Sequence, residues 1–315
     1  MIWALLAAMG AAILAHPFIV EWRKTLPGDA ARQAAPGAMA DLPQGKTYFR
    51  WFGPTDGPTV VCVHGLTTPS RVYETIAEAL VQDGFRVLTY DHYGRGLSDN
   101  ASGLQDADFY IRHLNDLLAD QSVNGPVDLI GYSMGGAIVS SFAARHPERV
   151  GKVVLLAPAG MGVRSNAILR IIRNGGLLGD WLMLRHYPDL HRQGTEAERD
   201  LPTSVAGIID YQQAELTRRG FVPAVLSSIR GILSAPLGRE HEAIAANGTP
   251  LLAVWGREDD LIPCETAGDQ LRQWNPDATQ AVVDGAGHGL PYTHTAETLD
   301  AVRPFLSATS QRKGE

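Results

Sequence analysis

Short apolar runs alternate with amphipathic stretches along most of this chain. Thr59-Val60-Val61-Cys62-Val63 is uninterrupted and rich in β-branched residues, the pattern of a strand buried on both faces of a parallel sheet. Runs of the same kind occupy 46–52, 85–90, 126–130, 150–156, 250–255 and 279–283. Between them lie stretches of helical spacing, at 71–83, 106–120, 136–145, 265–274 and 295–307. Strands alternating with helices of that length predict βαβ units, and so an α/β fold on a parallel sheet. The rhythm stops at Met161. From there to Asn247 the apolar residues follow helical spacing, and no run reads as a strand. A structureless loop of that length is improbable in a compact domain, so the segment predicts an inserted helical cap. The apolar cluster from Ile168 to Leu184 is expected to form the cap's own core, with part of it facing the body as the ceiling of an apolar pocket.

Residues 2–20 show a different pattern. They are almost wholly apolar, with no polar face, interrupted by His16 and Pro17 and ended by Glu21-Trp22-Arg23-Lys24. A cleaved signal peptide normally begins with basic residues, and none is present; Ile13 and Ala15 also make a poor small-x-small cleavage site. A buried amphipathic helix would show polar positions on one side. A membrane anchor of about 19 residues is near the minimum for spanning, and Trp3 and Trp22 stand where interface residues belong. The anchor is therefore the expectation. Arg23, Lys24 and Arg32 follow the segment and no basic residue precedes it, which by the positive-inside rule keeps the catalytic domain on the cytoplasmic side. Residues 27–45, rich in Ala, Pro and Gly, read as a linker.

Composition narrows the function only by exclusion. A net charge of -7 provides no overall basic patch and argues against nucleic acid as the main partner. Two cysteines, Cys62 and Cys264, are too few and too far apart for a disulfide framework or a zinc site. With 315 residues there is room for one large α/β domain and an insertion.

The candidate chemistry starts at Gly131-Tyr132-Ser133-Met134-Gly135, which follows a strand run and opens a helix. A serine between two glycines on such a turn is lifted above the sheet, and a side chain at either glycine would strike a neighbouring element. The same pentapeptide arises by chance in a chain with 33 glycines, where the serine merely caps the helix. The remaining strand ends bear on the choice. A serine hydroxyl needs a base, and the base needs an orienting group. His288 lies in Asp284-Gly285-Ala286-Gly287-His288-Gly289, just past a strand at the same sheet edge, with His294 as runner-up at the entry to the last helix. The run Glu258-Asp259-Asp260 follows the strand at 250–255 and offers three carboxylates as the orienting acid. Two backbone donors are needed for an oxyanion: Met134, next to the serine, and Leu66, in the loop His64-Gly65-Leu66 after an earlier strand. His64 is expected to shape that loop by hydrogen bonding.

Taken together, His64-Gly65-Leu66, the stretch Asp91-His92-Tyr93-Gly94-Arg95-Gly96-Leu97-Ser98-Asp99, Gly131-Tyr132-Ser133-Met134-Gly135-Gly136, Trp255-Gly256-Arg257-Glu258-Asp259 with Pro263, and Gly285-Ala286-Gly287-His288 make the chain resemble the α/β-hydrolase superfamily. The resemblance spans about residues 46–307. It implies a mostly parallel, doubly wound sheet with a helical cap inserted after the sixth strand, here preceded by an apolar anchor helix. It places the nucleophile, acid and base on Ser133, Asp259 and His288, selecting Asp259 among the three carboxylates, and the oxyanion donors on Leu66 and Met134. It implies an esterase or lipase that needs no cofactor and no metal and acts on a small ester with an apolar acyl chain. A serine at the elbow sets the chain apart from the dehalogenase and epoxide hydrolase branches, which carry Asp there. The anchor, the Ser-Met-Gly-Gly elbow and Pro158-Ala159-Gly160 are similar to membrane-anchored monoacylglycerol lipases. A C–C bond hydrolase or a cofactor-free perhydrolase of the same fold, and a non-catalytic membrane-tethered binding module, are the alternatives. The expected division is an anchor at 1–22, a linker at 23–45, a body at 46–160 and 248–310, and a cap at 161–247.

Overall fold

The computed structural model describes residues 1–162 and 167–308. One sheet of eight strands runs through the centre: β1 (Ala38–Leu42), β2 (Gly45–Phe52), β3 (Thr59–Val63), β4 (Arg86–Tyr90), β5 (Val127–Tyr132), β6 (Val150–Leu156), β7 (Leu251–Gly256) and β8 (Thr279–Val283). The spatial order is β1-β2-β4-β3-β5-β6-β7-β8. β2 pairs antiparallel with β1 and with β4; every other neighbouring pair is parallel.

Because helices cover both faces, the parallel strands are buried on both sides, which is why their sequences run apolar without a break. Val61, Val63, Leu129, Val153 and Leu155 face one way and pack with Leu114, Leu117, Ile138 and Phe142 from helices Ala107–Asp120 and Met134–Arg145. Val60, Cys62, Ile130, Val154 and Leu156 face the other way, against Ile76, Leu80, Leu299 and Val302 from helices Glu74–Gln82 and Thr295–Ser307. The cores on the two sides of the sheet hold β5 at the middle. All the parallel strands end at one edge, so residues just past β3, β5, β7 and β8 meet there.

Two expectations need correction. Residues 27–45 are not a bare linker: they form a short helix, Asp29–Ala34, and then the edge strand β1. Ala38, Met39 and Ala40 carry weak strand preference, so local pattern hid the strand. A tight turn through Pro43 and Gln44 sets the register from Leu42↔Gly45 to Ala38↔Phe49, and burial of Ala40 and Leu42 holds it.

The second correction concerns the residues between β6 and β7. Helices Ala167–Asn174, Gly176–Glu196, Ile208–Ala214, Phe221–Arg230 and Gly238–Ala246 lie there, and no strand occurs among the described residues. Residues 163–166 of the expected cap, and 309–310 of the expected body, lie outside the described residues. Only part of the cluster from Ile168 to Leu184 joins the cap core: Met183 is buried in it, with Ile172 and Leu184 packed against it. Ile168, Leu177 and Leu178 are exposed, at 63%, 78% and 58%. The centre is instead Phe221, Val222, Val225 and Leu226 with Met183 and Leu216. Those four residues of helix Phe221–Arg230 form one broad apolar face, which covers only one side of helix Gly176–Glu196. Helix Gly238–Ala246 packs on Met134–Arg145 and Cys264–Trp274, and Ile244 joins the body's core. It belongs with the body rather than with the cap surface.

Helix Ile2–Arg23 has 22 residues, only Pro17 and Glu21 of them buried. At 1.5 Å per residue it extends about 33 Å. It is long and apolar enough to cross a membrane by length and composition, a test that a signal sequence also passes. Its C-terminal end is tied to the folded body. Glu21 accepts from the Gly220 N–H at 2.6 Å and from Lys24 at 2.7 Å, Arg219 N–H donates to the Thr25 carbonyl at 2.8 Å, and Arg32 pairs with Asp99 at 2.6 Å.

Candidate active site

Ser133 follows β5 directly and has φ 52° and ψ -116°. Left-handed backbone costs a serine on the order of 1–2 kcal/mol, so the surroundings must impose it. They do so from both sides: Ser133 N–H donates to the Leu156 carbonyl, and the Ser133 carbonyl accepts from the N–H groups of Gly136 and Ala159, all at 2.9 Å. The glycines make the turn possible. A Cβ on Gly131 would lie 2.4 Å from the Gly135 carbonyl oxygen, and a Cβ on Gly135 would lie 1.9 Å from that of Val63. The turn is therefore pressed between β3 and its own helix with no room for a methyl group.

The Ser133 side chain does not cap the helix that follows it. Ser133 Oγ lies 2.9 Å from His288 Nε2, and His288 Nδ1 lies 2.8 Å from Asp259 Oδ2. With Nδ1–H donating to the carboxylate, Nε2 is left to accept the hydroxyl proton. Asp259 is nearly buried, and its other oxygen accepts from Leu261 N–H and Ile262 N–H, each at 2.9 Å. These bonds hold the carboxylate in place and leave Oδ2 directed at the imidazole. Glu258 and Asp260 are exposed on either side. The strand ends have thus gathered three residues spread over 155 positions of sequence.

The loop carrying Leu66 lies against the serine. A Cβ on Gly65 would stand 3.3 Å from Ser133 Cβ. Met134 is the first residue of helix Met134–Arg145, so its N–H has no acceptor within the helix. The positive end of that helix faces the serine. The Leu66 side chain packs against both the body's core and the cap cluster around Phe221, so apolar cap surface roofs this edge of the sheet.

His64 is fully buried and has both nitrogens engaged: Nε2 accepts from His92 N–H at 2.9 Å and Nδ1 donates to the Gly65 carbonyl at 2.8 Å. Burial pushes its pKa down to about 3, and that of His113 to about 3 as well. Burial also drives His92 well below the usual histidine range. All three imidazoles are neutral and structural. His294 bonds Thr293 and stands at the N-cap position of the last helix, with no side-chain bond into it.

Several residues near the site carried no sequence signal of their own. The Tyr132 ring sits 5.4 Å from the His288 ring, centroid to centroid. Tyr292 O–H donates to Glu198 at 2.6 Å, and Gln212 donates to Thr68 at 2.8 Å. A separate cavity of about 410 Å³, lined by Tyr48, Arg50, Glu74, Tyr211 and Glu215 among others, includes none of the five candidate residues. Among the described residues, no three His, Cys, Asp or Glu side chains come together in a cluster that could hold a metal ion.

The family model described as Serine aminopeptidase, S33, matches residues 56–292, well over half of the chain and all five candidate residues. This chain belongs to the serine aminopeptidase family. Its fold is that of the α/β-hydrolases. This serine aminopeptidase family member is 24% identical over 269 residues to the bifunctional esterase/perhydrolase of Acinetobacter calcoaceticus, covering 80% of this chain and 92% of that protein. It is 29% identical over 223 residues to the 2-hydroxy-6-oxo-6-(2'-aminophenyl)hexa-2,4-dienoic acid hydrolase of Metapseudomonas resinovorans, covering 71% and 74%. Among solved structures it is similar to a membrane phospholipase A, with a TM-score of 0.69 at 18% identity over 97% of this chain and 96% of that one.

Proposed function

We propose that this α/β-hydrolase is a serine esterase or lipase with Ser133 as nucleophile, His288 as base and Asp259 as orienting acid. The observation that carries the reading is the unbroken hydrogen-bond chain from Ser133 Oγ through His288 to Asp259, at 2.9 and 2.8 Å. In the proposed cycle His288 Nε2 takes the hydroxyl proton as Oγ attacks the ester carbonyl carbon. The N–H groups of Leu66 and Met134 hold the oxyanion. His288 then protonates the leaving alcohol. Water, deprotonated in turn by His288, cleaves the acyl-enzyme and releases the carboxylic acid. Asp259 keeps the imidazole in the tautomer with Nε2 free. The cycle calls on no cofactor and no metal.

The substrate we infer is a small ester with an apolar acyl chain, because apolar cap residues roof the site beside Leu66. The cap we infer is supplied by residues between 161 and 237, over a body that adds β1 and helix Gly238–Ala246 to the stretches 46–160 and 248–308. Helix Ile2–Arg23 is read as a membrane anchor. The buried Glu21, which accepts from the Gly220 N–H at 2.6 Å, supports that reading, since cleavage just after the helix would remove this contact with the folded chain. The basic residues after the helix favour the cytoplasmic side.

Two relatives name other chemistries, and the test includes them. The purified protein is treated with a fluorophosphonate probe and assayed on p-nitrophenyl esters of rising chain length. A C–C hydrolase substrate, an aminoacyl p-nitroanilide, and acetate with hydrogen peroxide complete the panel. We expect labelling at Ser133, ester turnover preferring medium or long acyl chains, and loss of both in Ser133→Ala. Ester hydrolysis that survived Ser133→Ala, or turnover confined to one of the other substrates, would overturn the reading.

A further inference from the structure

Arg95 is a fully buried cation with no carboxylate bonded to it among the described residues. An uncompensated charge in the interior is expensive, so its persistence demands that every donor be met. Every one is. Nε–H donates to the Leu66 carbonyl at 3.2 Å. Nη1 donates to the Tyr93 carbonyl at 3.0 Å and to Gln105 Oε1. Nη2 donates to the Ala224 carbonyl at 3.2 Å and to Ser228 Oγ at 2.8 Å. A guanidinium offers five N–H groups in a rigid plane, and this one spends them on three separate pieces of the chain.

Those pieces are the loop of Leu66, the segment from Tyr93 to Gln105 between β4 and helix Ala107–Asp120, and cap helix Phe221–Arg230. The network continues to the other side of the serine. Tyr110 O–H lies 2.8 Å from Ser228 Oγ, 2.9 Å from Gln105 Oε1 and 3.7 Å from Met134 Sδ. Gln105 is itself fastened to the cap, its N–H donating to Ser227 Oγ at 2.9 Å and its carbonyl accepting from Ile232 N–H at 3.0 Å. One buried polar cluster therefore touches both Leu66 and Met134, the two residues whose amides flank Ser133, and roots both in the cap.

We propose that Arg95 is a positioning residue for the oxyanion site, fixing the Leu66 peptide against cap helix Phe221–Arg230 so that the seating of the cap and the aim of the Leu66 N–H are one property. This rests on the ester-hydrolase reading above. The Leu66 N–H lies in the Gly65–Leu66 peptide, whose carbonyl His64 Nδ1 holds at 2.8 Å; the Arg95 bond to the Leu66 carbonyl fixes the next peptide, so the two dihedrals at Leu66 are held from both sides. A displacement of about 1 Å in a catalytic group costs up to about 10²-fold in rate. It follows that helix Phe221–Arg230 cannot lift away as a lid without leaving a buried cation unsatisfied. The Ala167–Asn174 and Gly176–Glu196 helices are fastened to that cap helix in turn, Arg230 donating to the Ile172 carbonyl at 2.8 Å and pairing with Asp180 at 2.6 Å.

The test uses the full-length enzyme in detergent, with Arg95→Lys and Ser228→Ala. Folded active sites are counted by fluorophosphonate titration, so that misfolded material does not enter kcat. Expected is a fall in kcat of about 10- to 100-fold for Arg95→Lys and about 5- to 10-fold for Ser228→Ala, with KM within about threefold of wild type. Affinity for an alkyl boronic acid, which forms a tetrahedral adduct on the serine, should fall in step with kcat/KM. Ser228→Ala removes the shorter of the two Arg95 bonds to the cap helix, and the Tyr110 contact with it, while keeping the cation, so it decides the matter should Arg95→Lys fail to fold. Unchanged kcat and boronate affinity in Ser228→Ala would overturn the inference. A wild-type enzyme that hydrolysed no ester would instead overturn the reading on which it rests.

Discussion

Gly135 and the carbonyl of Val63 leave no space between them: a Cβ on Gly135 would lie 1.9 Å from that oxygen. The oxygen belongs to the backbone and a Cβ is fixed in place by it, so neither can rotate away as the end of a side chain could. Gly135→Ala should therefore destabilise the fold by on the order of 3 kcal/mol or more, or abolish soluble expression. Gly125 has nothing within 4 Å of where a Cβ would stand. Gly125→Ala should unfold within a few degrees of wild type. Thermal denaturation of the two variants makes the comparison, and equal midpoints would refute it.

Asp259→Asn should preserve the fold and remove most of the activity. The side-chain oxygen that accepts from Leu261 and Ile262 is retained, so the loop keeps its shape. An amide NH₂ facing His288 would instead favour the proton on Nε2, where it blocks acceptance from Ser133. A loss of about 10⁴-fold in kcat is expected, with little change in melting temperature. Removing Glu258 or Asp260, both exposed, should leave kcat within about threefold.

Glu215 should make a contribution to stability that falls as pH rises. It is buried in the cap with its carboxylate accepting from the Gly96 N–H at 2.8 Å. Burial pushes its pKa up from 4.5 to about 7, against the opposing pull of that N–H and of the Arg218 guanidinium. A folded-state value above the unfolded one means the folded protein holds the proton more tightly. The contribution is then fully present below pH 4.5 and lost as pH rises through 7, a difference of roughly 3 kcal/mol. Glu215→Gln should gain stability over wild type at pH 8 and show no such gain at pH 4.5. Denaturant melts at the two pH values read this directly; a gain independent of pH would contradict it.

Removing residues 1–20 should release the protein from membranes. The deletion stops short of Glu21 and keeps the bonds of Glu21, Thr25 and Arg32 to the body. Full-length protein is expected to resist carbonate extraction and to show its uncleaved mass, while the truncated form stays in the soluble fraction and still reacts with a fluorophosphonate. A processed mature form lacking the helix would instead identify it as a signal sequence.

The alternation of apolar runs and amphipathic helices made the parallel sheet readable from the chain alone, because two-sided burial leaves the same signature in each central strand. The glycine-bounded serine was readable for a related reason: only glycine fits where backbone meets backbone. β1 was not readable, since Ala38, Met39 and Ala40 become a strand only through pairing with β2. Nor was the cap's interior. Ile168 and Leu177 are as apolar as Phe221 and Val225, and only packing separates an exposed face from a buried one.

The sequence by itself determined the order of the elements, the steric demands of the elbow, and which strand ends carry titratable groups. Tertiary structure brought Asp259, the carboxylate that the family resemblance selects among three, against His288, and it alone showed that His64 has no free nitrogen. It alone revealed the cluster of Arg95, Gln105, Tyr110 and Ser228. The physical reason is the same in each case. Local pattern records how a residue relates to its own helix or strand, whereas a hydrogen bond of 2.8 Å between residues scores of positions apart exists only once the sheet has brought their loops to a common edge.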